Sequence, residues 1–179
     1  MIVLRFAKPE HSNSKTAHIL SMFEMQVVSN TPLTPLNRID EIVLLLFNEL
    51  GYFPKGYNPK TDAQDIRDSV PFKLLVNHFL KDMEKVWIAE ELAFSLKTTK
   101  ATIYRHVNKL LGYEILESMG TKDANGEPRR GFRVRYGSLS KAWNFTEASV
   151  EIAMDSYRKS IDHLSDLAQN KSTPRRKGH

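Results

Sequence analysis

Hydrophobic residues recur every three or four positions in three stretches of the first half of the chain, residues 16–28, 36–50 and 70–80. This is the period of an amphipathic helix, so we predict a helix in each stretch. Thr34 followed by Pro35 predicts the beginning of the second helix, because threonine caps a helix and proline fits its first turn.

The segments beside these helices have other patterns. Residues 2–6, Ile-Val-Leu-Arg-Phe, are typical of a short strand. Residues 51–68 contain Gly, Pro, Asn and Asp, which predicts a connecting loop. Three aromatic side chains interrupt this loop, and we expect them to pack over the core rather than to stack on a ligand: Tyr52, Phe53 and Tyr57.

From Ser69 onward the pattern predicts three helices followed by a hairpin. The expected order is a helix capped by Ser69, an extended segment 86–88, a helix 90–95, a helix 100–111 capped by Thr99 and ended by Gly112, and strands 113–119 and 131–137 around a turn at Asn125-Gly126. In the last strand the residues alternate, which predicts Phe132, Val134 and Tyr136 on one face and Arg133 and Arg135 on the other.

A long helix, residues 145–169, is expected to follow the hairpin. Asn144 with Glu147 three positions later resembles a capping box. Six residues then recur at alternating spacings of four and three, which is the seam of a coiled coil and predicts a homodimer interface: Val150, Met154, Tyr157, Ile161, Leu164 and Ala168. The alternative is packing against helices of the same chain, or a dimer built jointly with the 36–50 helix. We expect the tail, 171–179, to be disordered.

Composition excludes several classes of protein. The longest apolar run, Ile42 to Phe47, is far shorter than the roughly 20 residues that cross a bilayer, so we expect no membrane partner. The chain has no cysteine, which excludes disulfides and thiolate chemistry. No phosphate loop, nucleophile elbow or metallohydrolase motif occurs. We therefore expect a cytoplasmic protein that is not an enzyme and has no cofactor.

The net charge of +5 is distributed unevenly. From Lys97 to Lys141, ten basic residues stand against four acidic ones, a net charge of +6. The tail, 171–179, has four basic residues and no acidic one, so the rest of the chain carries −5. Such segregation is typical of a surface that binds a polyanion, although a basic solvated surface has the same composition.

The third predicted helix has an apolar and a polar face. At 100° per residue, Ile103, Val107 and Leu110 share a narrow arc and are expected in the core. The opposite face suits a major groove, because Arg can bridge guanine O6 and N7 and Asn can pair with adenine. An ordinary amphipathic helix would also expose a polar face. The candidate DNA-binding residues of this helix and its cap are Thr99, Lys100, Ala101, Thr102, Tyr104, Arg105, Asn108 and Lys109.

Four arginines belong to the predicted hairpin. Arg129 and Arg130 lie near its turn, and Arg133 and Arg135 are expected on one face of its second strand. Arginine suits phosphates and a narrow minor groove. An exposed hairpin also carries charge to resist aggregation, but that needs fewer charges of one sign. We therefore add these arginines to the candidate DNA-binding residues.

Residues 70–137 resemble winged helix-turn-helix transcriptional regulators of the ArsR-like kind. The resemblance rests on three runs: Trp87-Ile-Ala-Glu-Glu-Leu-Ala, Lys97-Thr-Thr-Lys-Ala-Thr-Ile-Tyr-Arg-His-Val-Asn-Lys-Leu and Gly112-Tyr-Glu-Ile-Leu-Glu. It implies that Thr99, Lys100, Thr102, Tyr104 and Arg105 contact DNA and that the wing arginines grip the flanking backbone. Lys97 and Thr98 stand where such families often have a glycine-containing turn, which leaves the orientation of the third helix open.

ArsR-like proteins often sense metals through the last helix. Here Asp162, His163 and Asp166 have spacings that put at most two ligands on one helix face, so we expect a surface histidine and no metal.

The sequence thus predicts a mostly α-helical protein with a small β-hairpin wing, organised as an N-terminal helical extension with a possible short strand (1–68), a winged helix domain (69–137), a dimerisation helix (138–170) and a basic tail (171–179). The expected function is sequence-specific binding of double-stranded DNA by a transcriptional regulator, with helix 99–111 in the major groove and wing 118–137 on the flanking backbone or minor groove. The alternatives are an RNA-binding or ribosome-associated winged helix module and a protein-interaction winged helix. The sequence does not indicate a small-molecule effector.

Overall fold

The computed structural model describes residues 2–8, 21–27, 36–54, 56, 58 and 61–172, with the backbone alone for 2–8, 21–27 and 170–172. Two compact units result, Met1–Thr146 and Glu147–His179. The elements in chain order are β1 (Ile2–Lys8), β2 (Ser21–Val27), α1 (Ile39–Glu49), α2 (Ala63–Asp68), α3 (Val70–Leu74) with a π-helical continuation (Leu75–Phe79), β3 (Trp87–Ile88), α4 (Ala89–Ser95), α5 (Lys100–Gly112), β4 (Leu116–Lys122), β5 (Pro128–Val134), a 3₁₀ turn (Arg135–Gly137) and α6 (Leu139–Ser172).

The N-terminal region begins with an antiparallel hairpin. Strands β1 and β2 pair in a register that runs from Ile2 opposite Val27 to Lys8 opposite Ser21. The prediction of a short strand at 2–6 is confirmed, whereas the helix predicted for 16–28 is wrong over Ser21–Val27. Its apolar residues also fit a period of two, and pairing with β1 satisfies backbone groups that a lone helix would satisfy internally.

Helix α1 and the segment after it differ from the prediction in detail. Helix α1 begins at Ile39 rather than Leu36, after Arg38, which gives no side-chain cap; the expected signal at Thr34 and Pro35 lies outside the described residues. The predicted loop 51–68 contains helix α2. Its aromatic residues Tyr52 and Phe53 are buried, as expected, while Tyr57 lies outside the described residues.

The central part is a winged helix-turn-helix, and the predicted fold class is confirmed. The predicted caps are also present: Ser69 Oγ accepts a hydrogen bond from the Phe72 N–H, and Thr99 Oγ1 accepts one from the Thr102 N–H. Helices α3, α4 and α5 enclose a core of fully buried side chains, among them Leu74, Phe79, Leu92, Ile103, Val107 and Leu110.

A three-stranded antiparallel sheet with the order β3-β5-β4 covers one side of this core. Strand β5 lies in the middle and directs Phe132 and Val134 inward. A Cβ atom at Gly131 would collide with the Val86 side chain and lie 2.9 Å from Thr121 Cγ2, so glycine permits the close approach of the strands. At the predicted turn, Gly126 has a φ of +82°, and Asp123 Oδ1 accepts the backbone N–H groups of Asn125 and Glu127.

Helix α6 begins six residues earlier than its predicted first residue, 145. It starts at Leu139, after Ser138, whose Oγ lies 3.5 Å from the backbone nitrogen of Lys141. The predicted capping box is therefore wrong, because Asn144 and Glu147 both lie inside the helix. None of the helices in the described ranges combines the length and the apolar character that a membrane crossing requires.

Candidate nucleic-acid interface

The turn between α4 and α5 orients the candidate recognition helix. The Thr98 N–H donates to the Ala93 carbonyl at 3.0 Å and the Lys97 N–H donates to the Phe94 carbonyl at 3.2 Å. This is the hydrogen-bond pattern of a Schellman motif, whose central residue is usually a glycine in the left-handed region. Lys97 occupies that position with a φ of +50°. The turn at which the sequence analysis expected a glycine is therefore present here without one.

The N-terminus of α5 is capped and exposed. Thr99 Oγ1 accepts the Thr102 N–H at 3.2 Å, so the chain enters the helix in a defined direction. Lys100 Nζ lies 3.1 Å from Glu90 Oε1 in an exposed ion pair, and this pairing lowers the pKa of Glu90. An exposed ion pair of this kind contributes little to stability, so Lys100 can readily exchange Glu90 for a phosphate.

The outer face of α5 carries four exposed side chains: Ala101, Tyr104, Arg105 and Asn108. A terminal guanidinium nitrogen of Arg105 lies 3.4 Å from His106 Nε2, and Arg105 makes no ion pair with a carboxylate within the described ranges. Its charge is therefore available to an external acceptor. The fully buried residues Ile103, Val107 and Leu110 lie on the opposite face, as predicted.

His106 is a buried residue of α5 that the sequence analysis did not place in the core. Its side chain is only 8% exposed and its ring meets the Tyr52 ring edge-on, with centroids 6.3 Å apart. Burial, with repulsion from Arg105 and Lys109, lowers the pKa of His106 to about 4. Helical period alone puts this position at the border of the apolar arc, so the sequence held only a weak signal.

Lys109 turns away from the expected polyanion surface. Its Nζ donates to the carbonyls of Gly51 and Tyr52, the latter at 3.0 Å, just after the end of α1. The lysine thus supplies a donor to two carbonyl groups of the segment that follows α1. The structure therefore gives Lys109 an internal partner and does not bring it together with Ala101, Arg105 and Asn108.

One aromatic contact joins α5 to the wing. The ring of Tyr104 meets the buried ring of Phe132 edge-on, with centroids 6.0 Å apart. Arg130 on the same strand holds its guanidinium 5.4 Å from the centroid of the Phe132 ring. Tyr104 of α5 and Arg130 of β5 thus contact the same buried ring, which links the exposed face of α5 to the wing.

The wing arginines all have intramolecular partners. Arg129 pairs with Asp123 at 3.0 Å, Arg133 pairs with Glu117 at 2.8 Å, and Arg135 pairs with Glu114. Arg130 donates to Ser118 Oγ at 3.3 Å. The pairs of Arg133 and Arg135 are half-buried, whereas the side chains of Arg129 and Arg130 lie at the exposed end of the hairpin.

Two of these carboxylates are strongly engaged. Burial alone would raise the pKa of Glu117, but hydrogen bonds from Arg133 and from the Tyr136 N–H hold that pKa below its ordinary value. Burial would likewise raise the pKa of Asp123, but backbone N–H groups and Arg129 keep it lowered. Both groups are therefore ionised at neutral pH and hold their arginines.

The predicted alternation fails at the end of β5. The strand ends at Val134 and a 3₁₀ turn follows, in which Tyr136 has a φ of +53°. Tyr136 is therefore 55% exposed instead of sharing the buried face of Phe132 and Val134. Arg135 leaves the face of Arg133 and lies over the Phe145 ring, 4.9 Å from its centroid.

Comparison with known proteins adds little to this geometry. No family model and no curated protein matches the chain. A solved structure to which it is similar is a possible transcriptional regulator from Methanosarcina mazei Go1, with a TM-score of 0.38 and 19% sequence identity over 56% of this chain and 87% of that one. A TM-score this low carries no argument about what this chain binds.

The second unit is described as one helix, the part of α6 from Glu147 onward. Along its predicted seam, Met154, Tyr157, Ile161 and Leu164 are each about half exposed or more. Val150 is partly buried and Ala168 is exposed. Asp162, His163 and Asp166 lie on the same helix, and the described residues hold no group of three or more side chains that could bind a metal ion.

Proposed function

We propose that this protein is a transcriptional regulator that binds double-stranded DNA in a sequence-specific manner. Helix α5 with its cap, residues 99–111, enters the major groove, and the wing, residues 118–137, contacts the flanking backbone or the minor groove. Residues 69–137 form the DNA-binding domain in this proposal, and residues 138–170 form a dimerisation helix.

The observation that carries this proposal is the exposed polar face of α5, which shares a buried ring contact with an exposed arginine of β5. Arg105 and Asn108 have no carboxylate partner in the described ranges, and they are the two residue types best suited to guanine and adenine. Contacts of Tyr104 and Arg130 with Phe132 hold the wing beside this helix face. A basic helix face and a basic wing held together match the shape and the charge of a DNA groove and its backbone.

The proposed DNA contacts fall into two groups. The first group consists of the exposed residues Thr99, Lys100, Ala101, Tyr104, Arg105, Asn108, Arg129 and Arg130, together with the partly buried Thr102. The second group, Lys109, Arg133 and Arg135, has internal partners that are half-buried. We propose direct contacts for the first group, while the second group reaches DNA only after its internal contacts are exchanged for phosphates.

The proposed assembly is a homodimer formed through α6. A helix with a half-exposed seam of Met154, Tyr157, Ile161 and Leu164 gains stability when that seam is covered. A second copy of the chain offers the same spacing of apolar residues, and two-fold symmetry suits a palindromic site on DNA.

The test is fluorescence anisotropy on duplexes obtained by selection from a random pool, with hairpin RNA as the competing ligand, over a series of salt concentrations. We expect preferential duplex binding that weakens steeply with salt, because bound phosphates release counterions. Arg105→Ala and Asn108→Ala are each expected to weaken specific binding by about 5- to 150-fold, since a bidentate base contact contributes about 1–3 kcal/mol.

The matched control is Arg38→Ala, which also removes one exposed arginine but lies at the beginning of α1, in an ion pair with Asp40. It should leave duplex affinity unchanged. Equal losses in Arg38→Ala and Arg105→Ala would reduce the effect to net charge and would overturn the proposed helix face. Equal affinity for hairpin RNA and for duplex DNA would favour an RNA-binding winged helix instead.

A further inference from the structure

An open pocket of about 860 Å³ lies beside the turn that precedes α5. Its walls come from α3, from the π-helical continuation of α3 and the loop after it, and from the C-terminal end of α4. None of its lining residues belongs to the proposed DNA-contact set. Its volume is in the range of sites that hold small molecules.

The charge of this pocket is predominantly positive. Lys73, Lys81, Lys85 and Lys97 line it, against the single carboxylate of Asp82. Lys73 pairs with Asp68 at 3.1 Å, and Asp82 is engaged by the Lys85 backbone N–H at 3.1 Å. Lys81 and Lys97 are exposed and have no carboxylate partner in the described ranges. Several ammonium groups around one concavity repel one another, and a bound anion would relieve this repulsion.

Trp87 and His78 form an uncharged part of the pocket wall. Trp87 lines the pocket, its ring carries Lys85 Nζ at 3.6 Å from the centroid, and its indole N–H is buried without an acceptor in the described ranges. His78 is held in place by Ser95 Oγ, 3.0 Å from Nε2, and by the Lys73 carbonyl, 3.4 Å from Nδ1. The accessible donors without an internal partner are the ammonium groups of Lys81 and Lys97, and they outnumber the single carboxylate of Asp82, which makes the lining complementary to carboxylate or phosphate oxygens.

We propose that this pocket binds a small polyanion that carries two or more carboxylate or phosphate groups. Lys81 and Lys97 supply the principal charge, Lys85 covers the indole ring, and His78 forms part of the wall.

The position of the pocket also assigns it a regulatory role. Ser95, Leu96 and Lys97 line the pocket, and the same residues lie within the Schellman motif that precedes Thr99, the cap of α5. An anion bound to Lys97 stabilises one arrangement of this turn and so changes the orientation of α5. This second step rests on the proposed DNA-binding function, whereas anion binding itself does not.

The experiment uses the full chain and two probes, pyrophosphate and citrate, titrated by calorimetry at about physiological salt. Lys81→Gln/Lys97→Gln removes two pocket charges and is expected to weaken binding at least about tenfold, the change that follows from losing about 1.4 kcal/mol of interaction. Lys141→Gln/Lys159→Gln removes two exposed charges elsewhere and should bind the probes like the unchanged protein. Equal affinities in all three proteins, or no saturable binding of either probe, would overturn the proposal that this pocket binds an anion.

A second measurement needs no variant. The chain has two tryptophans, so its spectrum of indole N–H groups holds two signals. In NMR titrations with citrate we expect the Trp87 signal to shift and that of Trp143, which does not line the pocket, to stay in place. A shift of neither signal would contradict the proposal even if the double variant failed to fold.

Duplex binding with and without probe separates the two steps. A change in duplex affinity that Lys81→Gln/Lys97→Gln abolishes supports regulation through the turn. Anion binding that leaves duplex affinity unchanged keeps the pocket and overturns its regulatory role. A third outcome is that the unchanged protein binds neither probe while Lys81→Gln/Lys97→Gln weakens duplex binding. That result would assign these lysines to contacts with DNA phosphates and would overturn the proposal.

Discussion

Lys97 occupies a backbone position where glycine is the usual residue. Its φ of +50° lies in the left-handed region, where a side chain costs about 1–2 kcal/mol. Two backbone hydrogen bonds close the turn around it and offset that cost. A lysine at this position, unlike a glycine, places an ammonium group at the adjacent pocket.

His106 makes the stability of the fold depend on pH. In the folded protein its pKa is lowered to about 4, whereas an unfolded histidine titrates near its ordinary value. Between these two values the unfolded chain binds the additional proton, so stability is complete above the unfolded pKa and falls as pH decreases toward the folded pKa. We expect a loss of at most about 3 kcal/mol from this group, measured by urea denaturation at pH 7 and pH 4.5.

The variant His106→Gln tests this assignment, because it cannot gain a proton in this range. It should lower stability at neutral pH and reduce the difference between the two pH values. His163→Gln, which replaces an exposed histidine of α6, is the matched control and should retain the full pH dependence. The same pH dependence in His106→Gln and in the unchanged protein would show that other groups cause the loss.

Most arginines of the wing form ion pairs with carboxylates of the same chain. Glu117 pairs with Arg133 at 2.8 Å, Glu114 pairs with Arg135 and Asp123 pairs with Arg129 at 3.0 Å, so three of the four candidate arginines have a carboxylate partner. Removing one partner of a half-buried ion pair lowers the free energy of unfolding more than removing one partner of an exposed pair does. The wing is thus stiffened at its base, and its tip retains the more exposed Arg129 and Arg130.

We predict that Glu117→Gln raises duplex affinity at low salt while it lowers stability. The substitution releases Arg133 and removes one negative charge, so non-specific affinity should increase several-fold through one further phosphate contact. Loss of the ion pair should lower the free energy of unfolding by about 1–3 kcal/mol. Anisotropy on random duplex and urea denaturation measure the two effects.

Glu127→Gln provides the comparison, because it removes the same charge from the exposed turn of the wing. It should leave stability nearly unchanged and raise affinity less than Glu117→Gln does. If both variants raise duplex affinity equally, net charge explains the gain and the release of Arg133 does not contribute.

In the whole molecule, the charge segregation and the seam of α6 belong to different units. The basic helix face and wing lie in Met1–Thr146, whereas the half-exposed apolar seam lies in Glu147–His179. A long apolar seam on a single helix is an association surface in water, because its burial against a partner removes apolar area from solvent. The proposed DNA contacts and the proposed dimer interface are therefore separable by mutation.

We predict that Ile161→Lys converts a homodimer into a monomer. Ile161 is 60% exposed at the middle of the seam, and a symmetric dimer would bring two lysines together there. The dissociation constant of the dimer should rise at least about hundredfold, measured by analytical ultracentrifugation over a concentration series. Ala148→Lys, on the opposite side of the helix, is the control and should leave assembly unchanged. A monomeric unchanged protein at micromolar concentration would contradict the proposed dimer.

The sequence by itself determined the features that depend on neighbouring residues. Thr99 as a cap, α5 from Lys100, the turn at Asn125-Gly126 and the order of helices and hairpin all follow from local hydrogen bonds, sterics and period. The candidate residues Arg105 and Asn108 were also predictable, because the apolar face of α5 settles which side is exposed.

Only the tertiary structure decided the features that depend on distant partners. Strand β2 replaced a predicted helix because β1 supplied its hydrogen bonds. Lys109 donates to carbonyls 57 and 58 residues away in the sequence, and Arg133 donates to a carboxylate 16 residues away. The burial of His106 depends on the ring of Tyr52. The local sequence pattern indicates which side chains are polar. The electrostatic energy of each charged side chain depends instead on the group that the fold places beside it.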